Sequence, residues 1–168
     1  MCITPTFVTA FTYEFYFRRE GPVTANTDVQ LGGLWQSSTQ YYCIRVNVST
    51  SASLTIIQNF SAMWNSPIGY LADLNWHHFC MENKVPGNSP RTVNFYFDGV
   101  LATNLVLSFN NATPATYQMY HSNSMNAPAG YFMDEVRLTK GAYRYGGPFT
   151  PNPPVGGSSG GGANFIRG

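Results

Sequence analysis

Charge is scarce in this chain. Only 10% of its 168 residues are Asp, Glu, Lys or Arg, and the formal net charge is +1; an average soluble domain carries about 25% charged residues. The basic residues are scattered, apart from the Arg18-Arg19 pair and the looser group Arg137, Lys140 and Arg144. That leaves no clustered cationic footprint for a phosphate backbone, so nucleic acid is not expected as a partner. Cysteine is equally sparse: Cys2, Cys43 and Cys80 are odd in number and share no Cys-x-x-Cys spacing. Neither a full disulfide framework nor a zinc site is expected; free, buried thiols acting as small apolar fillers are. A Cys43–Cys80 bridge would require their two strands to be neighbours. No apolar run approaches the roughly 18 residues of a membrane span, and the N-terminus lacks the basic start and apolar stretch of a signal peptide. Membrane insertion is therefore not expected, and export would need another route. The sequons at Asn47, Asn59 and Asn111 are read as unglycosylated.

Patterns that carry catalysis are also missing. Glycosidic bond cleavage needs two carboxylates about 5 to 10 Å apart on one face, and no strand here carries acids at alternate positions. Asp134 and Glu135 are adjacent, so in a regular strand they point to opposite faces, and Asp134 is expected to support a loop by hydrogen bonds. His77 and His78 are likewise adjacent, one expected toward the core and one toward solvent, which defeats joint metal binding. His121 stands alone. No Gly-x-Ser-x-Gly elbow and no phosphate loop is present. Catalytic and metal residues are therefore expected to be none. No cofactor is expected: the loops around Asn26 to Asp28 and Asp73 to Asn75 are the only near-plausible oxygen donors for calcium, and neither has a second nearby carboxylate.

What the chain has in quantity is aromatic and uncharged polar residues: aromatics make up 15% and apolar residues 43%. Strand-length runs rich in aromatic and β-branched residues recur between Gly, Pro, Asn and Ser clusters, and no stretch keeps helical spacing. The runs are Phe11 to Arg18, Gly33 to Gln36, Tyr41 to Val48, Ser53 to Asn59, Asn75 to Glu82, Arg91 to Phe97, Val100 to Leu107, Ala115 to Tyr120 and Gly130 to Leu138. So many short strands suit two packed sheets: an all-β, two-sheet antiparallel β-sandwich. In the first run Phe11, Tyr13, Phe15 and Phe17 share a core face, leaving Thr12, Glu14, Tyr16 and Arg18 for solvent. Phe97-Asp98-Gly99-Val100 reads as a two-residue hairpin. Trp76 is expected in the core. From Gly146 onward the composition turns to Pro, Gly and Ser and cannot bury a core. The organisation read from this is a sandwich over 1–150 and a Pro/Gly-rich C-terminal arm over 151–168, an arm that would hold one conformation only in the grip of a neighbouring subunit.

Four segments resemble a known pattern. Phe11-Thr12-Tyr13-Glu14-Phe15-Tyr16-Phe17-Arg18 is similar to an early strand of laminin-G-like and pentraxin-like domains. Trp76-His77-His78-Phe79 is similar to their Trp-His-His strand, Asn94 to Val100 to their Asp-Gly hairpin, and Gly130 to Gly141 to their closing strand. The chain thus resembles the concanavalin A-like lectin/glucanase superfamily over about residues 7 to 150, as a laminin-G-like jelly roll. Its ending, Thr139-Lys140-Gly141 followed by Arg144-Tyr145 and Phe149-Thr150-Pro151, resembles the variant found in bacteriophage virion proteins. The strand that usually precedes the first motif is shortened here to Met1 to Thr9.

The resemblance implies a non-enzymatic virion structural or decoration protein of a tailed bacteriophage, on capsid or tail. Such a protein would be located in the virion and would assemble with other virion subunits and as a homo-oligomer through edge strands and the arm. Tyr143, Tyr145, Phe149, Phe165 and Ile166 are the assembly candidates. The alternative is a carbohydrate-binding adhesion module that contacts a host-surface glycan. Sugar recognition asks for aromatic plates beside fixed polar groups, which Trp35, Trp64, Asn65, Tyr120 and His121 could supply. Trp64 and Asn65 are expected in a loop over Ser61 to Gly69.

Overall fold

The computed structural model describes residues 10–19, 28–37, 40–47, 52–58, 61–67, 69–83, 91–107, 118–120, 131–152 and 154. They form strands β1 (Phe11–Arg19), β2 (Asp28–Ser37), β3 (Gln40–Asn47), β4 (Ser53–Gln58), β5 (Ser61–Asn65), β6 (His77–Asn83), β7 (Arg91–Phe97), β8 (Val100–Leu107), β9 (Gln118–Tyr120) and β10 (Tyr131–Lys140). Two five-stranded antiparallel sheets result, in the orders β10-β1-β6-β7-β8 and β5-β4-β3-β2-β9. The expected all-β sandwich is the observed fold.

The core follows from the alternation on β1. Phe11, Tyr13, Phe15 and Phe17 point inward with Phe79 and Met81 of β6 and Val93, Phe95 and Phe97 of β7, and they meet Leu31, Leu54 and Ile56 of the second sheet. Each fully buried large apolar side chain contributes on the order of 1.5–3 kcal/mol. Phe79 lies at the centre of this layer, with ring centroids 5.0 Å from Phe15 and 5.3 Å from Phe97. The hairpin between β7 and β8 turns at Asp98 (φ 49°) and Gly99 (φ 77°), the two successive positive φ values that this turn demands.

Several expectations need correction. The second face of β1 is largely closed to solvent: Thr12, Glu14 and Tyr16 are buried and Arg18 is half-buried. What covers them is the chain after β10, residues 141–152, so the segment from Gly146 to Asn152 is packed structure rather than free arm. A Gly99 side chain would have its Cβ 1.7 Å from the Phe149 carbonyl oxygen, which shows how closely that segment is laid down. Residues 61–65 are strand β5 rather than loop. Trp76 is only half-buried and lies under the Arg18 guanidinium, 5.2 Å from its ring centroid. β3 and β6 belong to different sheets, so their strands are not neighbours, and Cys80 is a free, buried thiol.

Candidate functional site

The outer face of the first sheet is built by register. Thr12, Glu14 and Tyr16 of β1 lie opposite Glu82, Cys80 and His78 of β6. On the other side Glu14 lies opposite Arg137 of β10. Two carboxylates are thereby placed on a face that the fold closes off from water, where each needs a full set of donors. The strap of residues 141–152 supplies them. Gly141 (φ 80°) turns the chain, its N–H donating to the Ala10 carbonyl at 2.8 Å. The strap then crosses β1 and β6 and ends on the hairpin, where the Phe149 N–H donates to the Gly99 carbonyl at 2.9 Å.

Glu82, fully buried, accepts three successive backbone N–H groups: Arg144 at 2.9 Å and Tyr145 at 2.8 Å on Oε1, and Gly146 at 3.1 Å on Oε2. The Thr12 hydroxyl adds a fourth donor at 3.0 Å. This is a backbone nest whose anion comes from the protein itself. Glu14 takes side-chain donors instead: the Tyr145 hydroxyl at 2.6 Å, the Arg144 guanidinium, and Arg137 at 3.4 Å, with His78 Nε2 also 3.4 Å away. Burial pushes the Glu14 carboxyl up, but His78, Tyr145 and Arg144 together outweigh it and hold it below the ordinary carboxylate range. Burial raises the Tyr145 phenol, and its donation to Glu14 raises it further. Tyr145 also stacks on Phe149 with ring centroids 3.5 Å apart, and Phe149 closes over His78 and Tyr96.

Beside this lock a small polar cleft opens. It is lined by Glu14, Tyr16, His78, Glu135, Arg137, Arg144, Tyr145 and Asn152, around a volume of about 50 Å³. Glu135 reaches this cleft through a β-bulge. The pairing of β1 with β10 shifts between Glu14 and Tyr16, Glu135 takes φ 48°, and the Asp134 carboxylate accepts the Glu135 N–H at 2.8 Å. A bulge of this kind re-aims a side chain. Asp134 thus pins the bulge within its strand rather than a loop. Burial, followed by the charges of Glu135 and Glu14, raises the Tyr16 phenol to about 12.

A second polar cluster lies at the rim beside the hairpin. His77 is held by Asp98 at 2.9 Å on Nδ1 and by Asp73 at 2.8 Å on Nε2. Asp98 also accepts the Tyr70 hydroxyl at 2.8 Å and the His78 N–H at 2.8 Å, and Asn75 donates to Asp73 at 2.8 Å. Burial lowers the His77 imidazole, but the two carboxylates prevail and raise it above its ordinary value. His77 and His78 do lie on opposite faces, but His78 is buried under the strap rather than turned to solvent. Asp73, weighed for calcium, has its carboxylate engaged by His77 and Asn75, and Asp28 opens β2. Among the described residues no group of three or more His, Cys, Asp or Glu is arranged around a common metal position.

The residues singled out from sequence scatter. Trp64 is on β5 with its ring stacked on Phe97, centroids 5.3 Å apart, so one face of the plate is taken up in the core. Asn65 is exposed and accepts the Thr55 hydroxyl at 2.7 Å. Trp35 lies opposite Gln118 and Tyr120 opposite Gly33, which puts these two positions on adjacent strands of the second sheet. Tyr143 is exposed, whereas Tyr145 and Phe149 are committed within the chain. His121, Phe165 and Ile166, and most of the 151–168 arm, lie outside the described residues. Sequence reasoning passed over Glu14, Glu82, Tyr16, Arg137 and Arg144. The available signal was the ending Arg144-Tyr145 with Phe149, which is the strap itself.

No protein-family model matches the chain, and no curated protein matches it by sequence. Solved structures share its fold. Botulinum neurotoxin type C, whose passage into cells depends on interaction with two ganglioside molecules, superposes with a TM-score of 0.50 at 11% identity, over 79% of this chain and 32% of that one. The receptor-binding domain of botulinum neurotoxin mosaic serotype C/D gives 0.51 at 7% identity, over 84% and 34%. An engineered GH43 glycoside hydrolase with endo-xylanase and exo-arabinofuranosidase activity gives 0.50 at 12% identity, over 78% and 29%. This chain spans about a third of the length of these three structures, and at these identities the likeness is one of fold.

Proposed function

We propose that this chain is a non-enzymatic carbohydrate-binding module whose cleft beside the strap takes the hydroxyl edge of a neutral sugar. The observation that carries this reading is the lining of the cleft, where Glu135, Arg137, Arg144 and Asn152 stand together with Tyr16 beside the buried Glu14. A sugar hydroxyl both donates and accepts, and vicinal hydroxyls are matched by a carboxylate beside a guanidinium or an amide. Glu14 and Glu135 offset Arg137 and Arg144, so a neutral ligand suits the cleft better than an ionic one. A volume of about 50 Å³ holds about three to five waters at ~10–15 Å³ each. Only one edge of a sugar ring can displace them. An affinity on the order of 1 mM, about 4 kcal/mol, is what so few polar contacts support.

Two proteins of similar fold deal with carbohydrate, the ganglioside-dependent neurotoxin and the glycoside hydrolase, which favours this reading over a purely structural one. Glu14 is not suited to be the general acid of a glycosidase. General acid catalysis needs a carboxyl that keeps its proton near neutrality, and Glu14 is held charged. The laminin-G-like motifs and the viral form of the closing strand support placing the module on a phage particle, with a host-surface glycan as its ligand. Tyr145 and Phe149, named as assembly contacts, act inside the chain, which weakens the virion-scaffold reading. Titration calorimetry against a panel of neutral oligosaccharides tests the proposal. Binding that Arg137→Ala reduces at least tenfold supports it, and heat of turnover or release of reducing ends argues for an enzyme.

A further inference from the structure

Among the described residues, the four outer edges of the two sheets are not alike. β10 carries Asp134, Glu135, Arg137 and Lys140 and a bulge with a left-handed residue. β5 is only five residues long and irregular in its pairing, and β9 has three residues. Charge, bulges and brevity are the devices that stop an edge strand from pairing with another chain. β8 has none of them over its regular part. Its sequence, Val100-Leu101-Ala102-Thr103-Asn104-Leu105-Val106-Leu107, contains no charged residue and no proline, and its one irregularity, against Phe95 and Tyr96, leaves 103–107 in unbroken register with β7. Leu101 is 40% exposed and Val106 60% exposed.

From this contrast we propose that β8 is a self-pairing edge, through which two copies of this chain join their five-stranded sheets across a two-fold axis. The choice of a second copy rests on the solvent-side row. Asn104 and Val106 lie opposite Asn94 and Thr92, and the irregularity turns Leu101 to the same side, opposite Tyr96. The row therefore reads apolar, amide, apolar. Laid antiparallel on itself about Asn104, it sets amide against amide and brings Val106 and Leu107 against the Ala102-Leu101 irregularity, apolar against apolar, with no like charges opposed. A two-fold contact is closed, so it satisfies the edge without propagating into a filament.

The experiment is sedimentation velocity of the full chain over two decades of concentration, with hydrogen exchange followed in parallel. The expected result is a species of twice the chain mass whose Thr103 to Leu107 amides gain protection as concentration rises. Asn104→Lys, which sets two ammonium groups across the axis, should return the chain to single mass with its melting transition kept. Val136→Lys on the β10 edge should leave the dimer intact. A wild-type chain of single mass at every concentration would overturn the proposal. So would a dimer whose β8 amides exchange independently of concentration, an outcome that can be read even if the lysine variant does not fold.

Discussion

Two histidines one residue apart sit in opposite electrostatic settings. His78, under the strap, belongs to a closed face on which Glu14 and Glu82 are each surrounded by donors from the same chain. His77, at the rim, bridges two carboxylates whose side chains are 47% and 42% exposed. The closed face is an all-or-nothing arrangement, because a buried carboxylate that loses its donors keeps the whole desolvation cost. The rim is an open arrangement, in which water replaces whatever a substitution removes and salt screens the rest.

The largest effect should follow from Glu82→Leu, which strands three strap N–H groups and frees 141–152 from the sheet. A loss of about 3–5 kcal/mol is expected in urea denaturation, in the range for breaking a buried charge network. A loss under about 1 kcal/mol would mean that the strap is not held by its nest. Next comes Tyr145→Phe, which removes one donor from Glu14. A loss of about 1 kcal/mol at neutral pH is expected, together with acid unfolding at a higher pH than wild type. The sign follows from linkage. Glu14 is held below its ordinary 4.5, so its contribution is fully present above that value and is lost as pH falls through its folded value. The variant raises that folded value.

The smallest effect should come from His77→Gln, about 0.5–1 kcal/mol after solvent screening, and it should be confined to one side of the pH scale. The His77 imidazole is raised above 6.5, so its contribution is present below 6.5 and is lost as pH rises through the folded value. Asp73 and Asp98 are lowered from 3.8, with burial opposing and His77 prevailing, so their share is lost as pH falls. Wild-type stability should therefore decline above neutrality and that decline should vanish in His77→Gln, as followed by thermal melts against pH. An unchanged alkaline slope would detach the rim from the pH response.

How much of this was legible beforehand depends on distance along the chain. The inward face of β1, the Asp98-Gly99 hairpin and the sandwich class rest on local alternation and turn chemistry, and they could be read directly. The burial of Glu14 and Glu82 rests on residues some 60 to 130 positions apart, Arg144 with Glu82 and Tyr145 with Glu14. Alternation alone assigns that face to water. The placing of Trp64 is not local either: whether a Trp between Met63 and Asn65 offers its ring outward depends on Phe97, which lies across the sandwich. The cleft was invisible because Glu135 enters it through a bulge, and no periodicity announces a bulge. The motif from Thr139 to Pro151 did carry the strap, although as a family pattern rather than as a mechanism.

The claim at the centre of this account is that the cleft beside the strap receives a neutral sugar. It is tested most directly by backbone and side-chain NMR of the labelled chain titrated with neutral mono- and oligosaccharides. Saturable shifts are expected at Tyr16, Glu135, Arg137 and Asn152, absent in Arg137→Ala, with the rim resonances of Tyr70 and His77 unmoved. No shift with any neutral sugar, or shifts gathered at Trp64 and Asn65 while the cleft stays silent, would contradict it.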